Sequence, residues 1–342
     1  MPEPHRLDLR QLERAAAELE FPAESLENVL RLVELLDGLR SHPYLNGRLA
    51  LKGGTALNLF LLDLPRLSVD IDLNYIGALD RKTMLEERPR IKQAVRDVCK
   101  RCGLHVRRLS DEYAGGKCVL RYDRAAGGTG TLALDLNFLL RTPLWPVASL
   151  DAPELMGFKA RGVLVLDLHE LAGGKLAALF GRSASRDVYD MVRLFEQPAL
   201  DPEKLRLAFV VYGAMSRRDF RGISVDEIEI DPRDATSELL PLLRGDLGPS
   251  AEDVESWCCE LAARCIEGLS AVLPYESRET EFLDAIQERG EIRPELLTSD
   301  PALQERIRSH PALLWKALNV KRHRGKMTQG GDEPGLAPQK EG

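Results

Sequence analysis

Leu26, Val29, Leu30, Val33 and Leu36 recur every three or four residues in AESLENVLRLVELLDGL, the spacing that lines one face of a helix. His42-Pro43 interrupts the pattern. Beyond it, RLALKGG is a short apolar run ending in two glycines, and TALNLFLLDL reads as a helix opening at Thr55. In LSVDIDLNYIG, Val69, Ile71 and Leu73 alternate with Ser68, Asp70, Asp72 and Asn74, which predicts a strand with one apolar and one polar face. A basic helix is expected from about Met84 to Arg101. LHVRRLS and GKCVLRYD read as strands flanking a turn near Gly115-Gly116. The Gly-rich AAGGTG then leads into TLALDLNFLLR, where Leu132, Leu134, Leu136 and Phe138 share one face and Ala133, Asp135 and Asn137 the other.

After TPLWPV the pattern turns helical, in HELAGGKLAALFGR, SRDVYDMVRLFEQ and four later stretches ending near residue 319. The expected class is therefore α+β, a mixed β-sheet flanked by helices and followed by a mainly helical C-terminal domain. The boundaries expected are N-terminal helices over 1–45, the sheet domain over 46–160, the helical domain over 161–320 and a polar, Gly- and Pro-rich disordered tail over 321–342.

Composition narrows the class. Of 342 residues, 44% are apolar and 30% charged, which is the balance of a soluble globular chain and excludes wholesale disorder. No apolar run approaches the ~20 residues that span a bilayer, so no membrane association is expected. The N-terminus lacks the basic start and apolar stretch of a signal peptide. Cys99 and Cys102 form a CxxC without a second zinc-ligand pair and read as half-buried helical thiols in a reducing, cytoplasmic setting.

The chemistry gathers on the DID strand. Residues two apart on a strand project from the same face, roughly 6–7 Å apart, so Asp70 and Asp72 stand side by side. Neighbouring carboxylates repel unless a cation lies between them, and hard oxygen ligands suit Mg²⁺. Asp135, on the polar face of another strand, would complete a three-carboxylate site for two metal ions. Lys52, Gly53, Gly54 and Thr55 end a strand and open a helix, where glycines and free N–H groups suit a phosphate. Taken singly, an Asp-x-Asp is commonly a solvated strand face and a Gly pair a tight turn. Strand, GGT, helix, strand, DID in that order is far more specific.

At those residues the sequence resembles a known family. KGGTALNLFLLDLPRLSVDIDL is similar to the signature of the AbiEii-type nucleotidyltransferase toxins, within the DNA-polymerase-β-like nucleotidyltransferase superfamily. The superfamily's glycine pair, Asp-x-Asp and later-strand Asp fall on Gly53 and Gly54, on Asp70 and Asp72, and on Asp135. The run Arg66–Ser68–Asp70–Asp72 resembles the AbiEii version in particular. ELAGGKLAALFGRSASRDVYDMVRLF resembles its later motifs, a helical Lys and then Arg/Lys-Asp-x-x-Asp, on Lys175 and on Arg186, Asp187 and Asp190. The resemblance covers roughly residues 45–200.

It implies a Mg²⁺-dependent enzyme that transfers NMP from an NTP to an RNA acceptor, the tRNA 3′ end, and so blocks translation. A cognate antitoxin that need not form a stable complex is implied as its partner. Asp70 and Asp72 would hold the metals, and Asp135 would complete the site or act as base. Lys52, Gly53, Gly54, Thr55, Arg66, Ser68, Lys175 and Arg186 would bind the nucleotide, while Asp187 and Asp190 would orient Arg186 or the base. Without the resemblance, the Asp–Arg set reads as a helix-surface ion-pair cluster. His169 reads as a cap or surface residue, and Trp145, Trp257 and Trp315 as core or interface residues.

Charge bears on the acceptor. The segment from Arg88 to Arg141 holds twelve Lys and Arg against five Asp and Glu, a net +7 within a chain of net −7, leaving −14 elsewhere. A basic face of this kind suits a phosphate backbone. Two other readings stay open: a nucleotidyltransferase of the antibiotic-modifying type, acting on a small molecule, and a nucleotide-binding pseudoenzyme.

Overall fold

The computed structural model describes residues 7–107 and 115–329. Two N-terminal helices, α1 (Leu9–Glu18) and α2 (Ala23–Ser41), precede an alternation of strand and helix: β1 (Leu49–Lys52), α3 (Gly53–Phe60), β2 (Asp70–Tyr75) and α4 (Arg81–Arg101). The strands β3 (His105–Val106), β4 (Gly115–Asp123) and β5 (Thr129–Asn137) follow in the expected order. Gly115 and Gly116 begin β4, so the turn expected there gives way to strand. Arg108, Asp111 and Glu112 of the basic segment, and residues 330–342 of the expected tail, lie outside the described residues.

Two short strands, β6 (Ala148–Leu150) and β7 (Val163–Val165), complete a mixed seven-stranded sheet of order β3-β4-β5-β2-β1-β7-β6. β7 pairs parallel with β1, so the sheet extends past the boundary expected at residue 160. The alternation in β2 and β5 sorts their faces as anticipated. Ile71, Leu73, Leu132, Leu134 and Leu136 are buried, while Asp70, Asp72 and Asp135 keep partial exposure on the opposite face. Leu36 and Leu39 of α2 meet Leu51 and Leu73 across a small apolar cavity, which places α2 over the apolar face.

The chain then forms α5 (Leu168–Arg182), α6 (Ser185–Phe195) and α7 (Pro202–Met215). One core runs from Leu12 through the sheet and α5–α6 to Leu273, and a smaller one packs Phe282, Ile286, Ile307 and Leu313 against α7. The class is α+β. The last helix, Pro311–Gln329, is anchored by Leu313 and Ala317 and runs past residue 321. Among the described residues no helix is long and apolar enough to cross a membrane.

Candidate active site

Strand register builds a row of charges across the polar face. Lys52 of β1 is the partner of Asp72 on β2, Asp72 is the partner of Asp135 on β5, and Asp135 is the partner of Lys117 on β4. Register partners present their side chains to one face. The row Lys52–Asp72–Asp135–Lys117 therefore puts two carboxylates between two lysines. Asp70 sits one pleat along on the same face, half-exposed, 3.9 Å from Lys117 Nζ.

Asp72 is the electrostatic centre of this face. Burial pushes its carboxyl above the ordinary carboxylate range, and Asp135 and Asp70 push the same way, while Lys52 and Lys175 oppose them. Among the described residues no three His, Cys, Asp or Glu side chains are already gathered closely enough to grip an ion. The donor set nonetheless suits a hard divalent cation, since it is all carboxylate oxygen and its mutual repulsion is relieved by positive charge.

The turn into α3 lies against the row. Gly53 has φ +76°, and a Cβ there would stand 2.2 Å from Asp72 Oδ2. A Cβ on Gly54 would stand 2.9 Å from Ser68 Oγ and 3.1 Å from Arg66 Nη2. Any larger side chain would push into Asp72, Ser68 and Arg66. Helix α3 opens at Gly53, two residues before the expected Thr55, and its N-cap Lys52 offers no side-chain cap, so first-turn N–H groups stay open to an anion. Thr55 is buried and its hydroxyl donates to the backbone oxygen of Asp70. That bond ties helix to strand rather than presenting the hydroxyl to a ligand.

Behind the row is a buried ion network. Lys175 Nζ lies 2.7 Å from Asp190 and 3.1 Å from Asp187. Arg66 grips Asp190 with Nε and Nη2 at 2.7 and 2.6 Å, and Arg182 grips Asp187 at 2.7 and 2.9 Å. Asp187 and Asp190 are 1% and 0% exposed, so this is no surface cluster. Burial would raise both carboxyls. Hydrogen bonds from Arg182 and the charge of Lys175 outweigh it for Asp187, and the charges of Arg66 and Lys175 do so for Asp190, so both stay below the usual range. The two carboxylates are spent on orienting cations. Arg186 is not among these: it points to Glu238 at 3.6 Å, half-exposed, because its neighbour Asp187 takes the inward position on α6.

The sequence reading missed Lys117 and Arg182. Arg182 keeps 62% of its side chain exposed although Asp187 holds its guanidinium, and the charge of Asp72 reaches it. It lies seven residues after Lys175, two turns along the same face of α5, a spacing that marks it. Lys117 becomes visible only once β4 is registered against β5. Other expectations shift too. His169 is buried, its Nδ1 on Asp167 and its Nε2 accepting from the Asp201 amide, and so fastens α5 to the start of α7. The basic segment is partly consumed internally: Lys92 and Arg141 are buried, Arg90 lies over the Tyr44 ring and Arg124 pairs with Glu24. Cys99 and Cys102 are free thiols pushed up by burial to about 12 and about 11.

Comparison with solved structures places this fold beside MenT4, a nucleotidyltransferase toxin from Mycobacterium tuberculosis H37Rv, with a TM-score of 0.58 and 19% identity over 90% of this chain and 99% of that one. A nucleotidyltransferase-like antigenic protein from Paracoccidioides brasiliensis overlaps 48% of this chain and 75% of its own, with a TM-score of 0.31 and 15% identity. None of the curated proteins matches the sequence. The family model of the AbiEii nucleotidyl transferase toxins of type IV toxin–antitoxin systems matches residues 34–255, so the chain belongs to that family. It is a nucleotidyltransferase toxin with an NTP substrate and a cognate antitoxin.

Proposed function

We propose that the toxin transfers NMP from an NTP to the 3′ end of tRNA in the cytoplasm, with Mg²⁺ as cofactor, and so inhibits translation. The observation that carries this reading is the Lys52–Asp72–Asp135–Lys117 row beside the Gly53–Gly54 turn. The row supplies paired carboxylates for metal, and the turn supplies open helix N–H groups for phosphate.

Asp70, Asp72 and Asp135 would hold Mg²⁺, which when bound would neutralise triphosphate charge and favour the leaving pyrophosphate. The first-turn amides of Gly53 and Gly54, with Lys52 and the exposed Arg182, would bind the triphosphate. Lys175, already held by Asp187 and Asp190, would add positive charge behind Asp72. Arg66, Asp187 and Asp190 are positioning residues in this reading, and Arg186 has no part in it. In the transfer, the acceptor hydroxyl oxygen bonds to the α-phosphorus and the bond to the β-phosphate bridging oxygen breaks. The hydroxyl proton passes to Asp135 and pyrophosphate leaves. The antitoxin would act without a stable complex.

The test is incubation of the purified chain with each α-labelled NTP, Mg²⁺ and total tRNA. Label on the tRNA 3′ end supports the proposal. Label confined to a small molecule, or NTP binding with no transfer to any acceptor, rejects it.

A further inference from the structure

Away from the polar sheet face, the last helix and the end of α7 enclose a cleft of about 450 Å³. Its walls include Arg217, Gln287, Trp315, Lys316, His323 and Arg324, and among the described residues no Asp or Glu lines it. Trp315, expected in a core or interface, is 44% exposed. The uncovered part of that indole, on a helix whose Leu314 and Leu318 are likewise 50% and 46% exposed, gains nothing from folding. Lys316 is half-buried and donates from Nζ to the Ser216 carbonyl at 2.8 Å, which holds its ammonium at the cleft. Gln287 gives an independent sign: its side-chain nitrogen is buried and has no hydrogen-bond partner. A buried donor left unsatisfied costs free energy, which a ligand acceptor recovers once the amide turns its nitrogen to the cleft.

A flat aromatic face, an amide with spare hydrogen-bonding capacity and several cations together match an unpaired nucleotide. The base stacks on the ring, its edge meets the amide, and its phosphates meet the cations. An acidic peptide would use the cations and the Gln287 donor but leave the indole face unmatched. The cleft is tied through the chain to α5, the helix that carries Lys175 and Arg182. Arg218, next to Arg217, donates to the Phe180 carbonyl at 2.5 Å, two residues before Arg182 on α5. We propose that this cleft binds an unpaired nucleotide of the RNA acceptor, with its base stacked on Trp315 and its edge read by Gln287. The proposal rests on the reading of RNA as acceptor.

The test uses the full chain and binding alone. Fluorescently labelled single-stranded oligoribonucleotide, a blunt duplex of the same sequence and polyglutamate are each titrated by anisotropy against the wild type, Trp315→Ala, Trp315→Phe and Gln287→Ala, and tryptophan emission is recorded alongside. The single strand is expected to quench emission. Trp315→Ala should lose the quench and roughly tenfold in affinity, Gln287→Ala should weaken binding less, and Trp315→Phe should bind nearly as the wild type does. Unchanged RNA affinity in Trp315→Ala overturns the proposal, as does duplex or polyglutamate binding as tight as the single strand. The transfer assay separates the two claims. Transfer to RNA with unchanged affinity in Trp315→Ala rejects the cleft alone, whereas Trp315-dependent RNA binding without transfer supports the cleft and rejects RNA as acceptor.

Discussion

Asp72 and Asp135 are register partners on the parallel strands β2 and β5, two carboxylates set directly opposite each other. Nothing in folding favours that pairing. Burial and the neighbouring charges Asp135 and Asp70 hold the Asp72 carboxyl above its unfolded value. A carboxyl with a raised folded pKa is neutral in both states at acid pH. As pH rises above the unfolded value of 3.8, it ionises first in the unfolded chain, and stability is lost until the folded value is passed.

The first expected outcome follows directly. Without added divalent cation, Asp72→Asn should melt higher than the wild type at pH 7, and the gap should close as pH falls toward 4. Adding Mg²⁺ should raise the wild-type Tm and leave Asp72→Asn nearly unmoved, because a ligand stabilises only the state that binds it. Differential scanning fluorimetry across pH, with and without Mg²⁺, reads both effects.

Gly53 and Gly47 share nearly the same backbone, φ +76° and +77°, but a Cβ on Gly47 meets nothing within 4 Å. Gly47→Ala should therefore cost only the left-handed strain, about 1–2 kcal/mol, with transfer rate unchanged. Gly53→Ala should carry that cost, displace the Asp72 carboxylate and lower the transfer rate on the order of a hundredfold. Equal rates in the two variants would sink the claim that the turn sets the Asp72 position.

Removing Arg66 leaves Asp190 fully buried with Lys175 and Asn58 as its remaining side-chain partners. Arg66→Ala should destabilise the fold by about 3–5 kcal/mol. Arg66→Lys should recover part of that, since an ammonium cannot reproduce the two-point grip. Asp190 has a depressed folded pKa, so its contribution is present above the unfolded value and lost only as pH falls below it. The Arg66→Ala deficit should accordingly be full at neutral pH and shrink in strong acid. Urea unfolding at two pH values measures it.

Much of this was legible from pattern alone. Period-two alternation located β2 and β5 and put Asp70, Asp72 and Asp135 on polar faces, because a strand's pleat is a local property. Pairing was not legible, and with it went the row that joins Lys52 and Lys117 to the carboxylates. The pairing of Arg66 with Asp190 spans 124 residues, beyond any local signal, and the expectation that Arg66 binds the nucleotide rests on the resemblance alone. Arg186 is one residue, a rotation of ~100°, from the buried Asp187 on α6, so it turns toward Glu238, while Arg182 reaches Asp187 from the end of α5. The strands β6 and β7 are three residues each, too short to show a period.

Glu170 offers a separate pH test. Burial pushes its carboxyl up to about 7, although Tyr212 and the Leu144 amide donate to it. It is protonated in the fold and ionised in the unfolded chain between the unfolded value of 4.5 and about 7, so stability falls as pH rises across that window and levels off above it. The wild-type loss should approach ~1.4 kcal/mol per pH unit there, and Glu170→Gln should flatten it. Chemical denaturation from pH 4.5 to 8 makes the comparison.

The most direct measurement is the rate of label transfer from NTP to RNA by the wild type, Asp72→Asn and Asp135→Asn, each first shown by circular dichroism to be folded. The charged row predicts transfer by the wild type and a loss of at least ~100-fold in both variants, the scale of removing one preorganised electrostatic partner. Transfer at the wild-type rate in either folded variant would contradict it.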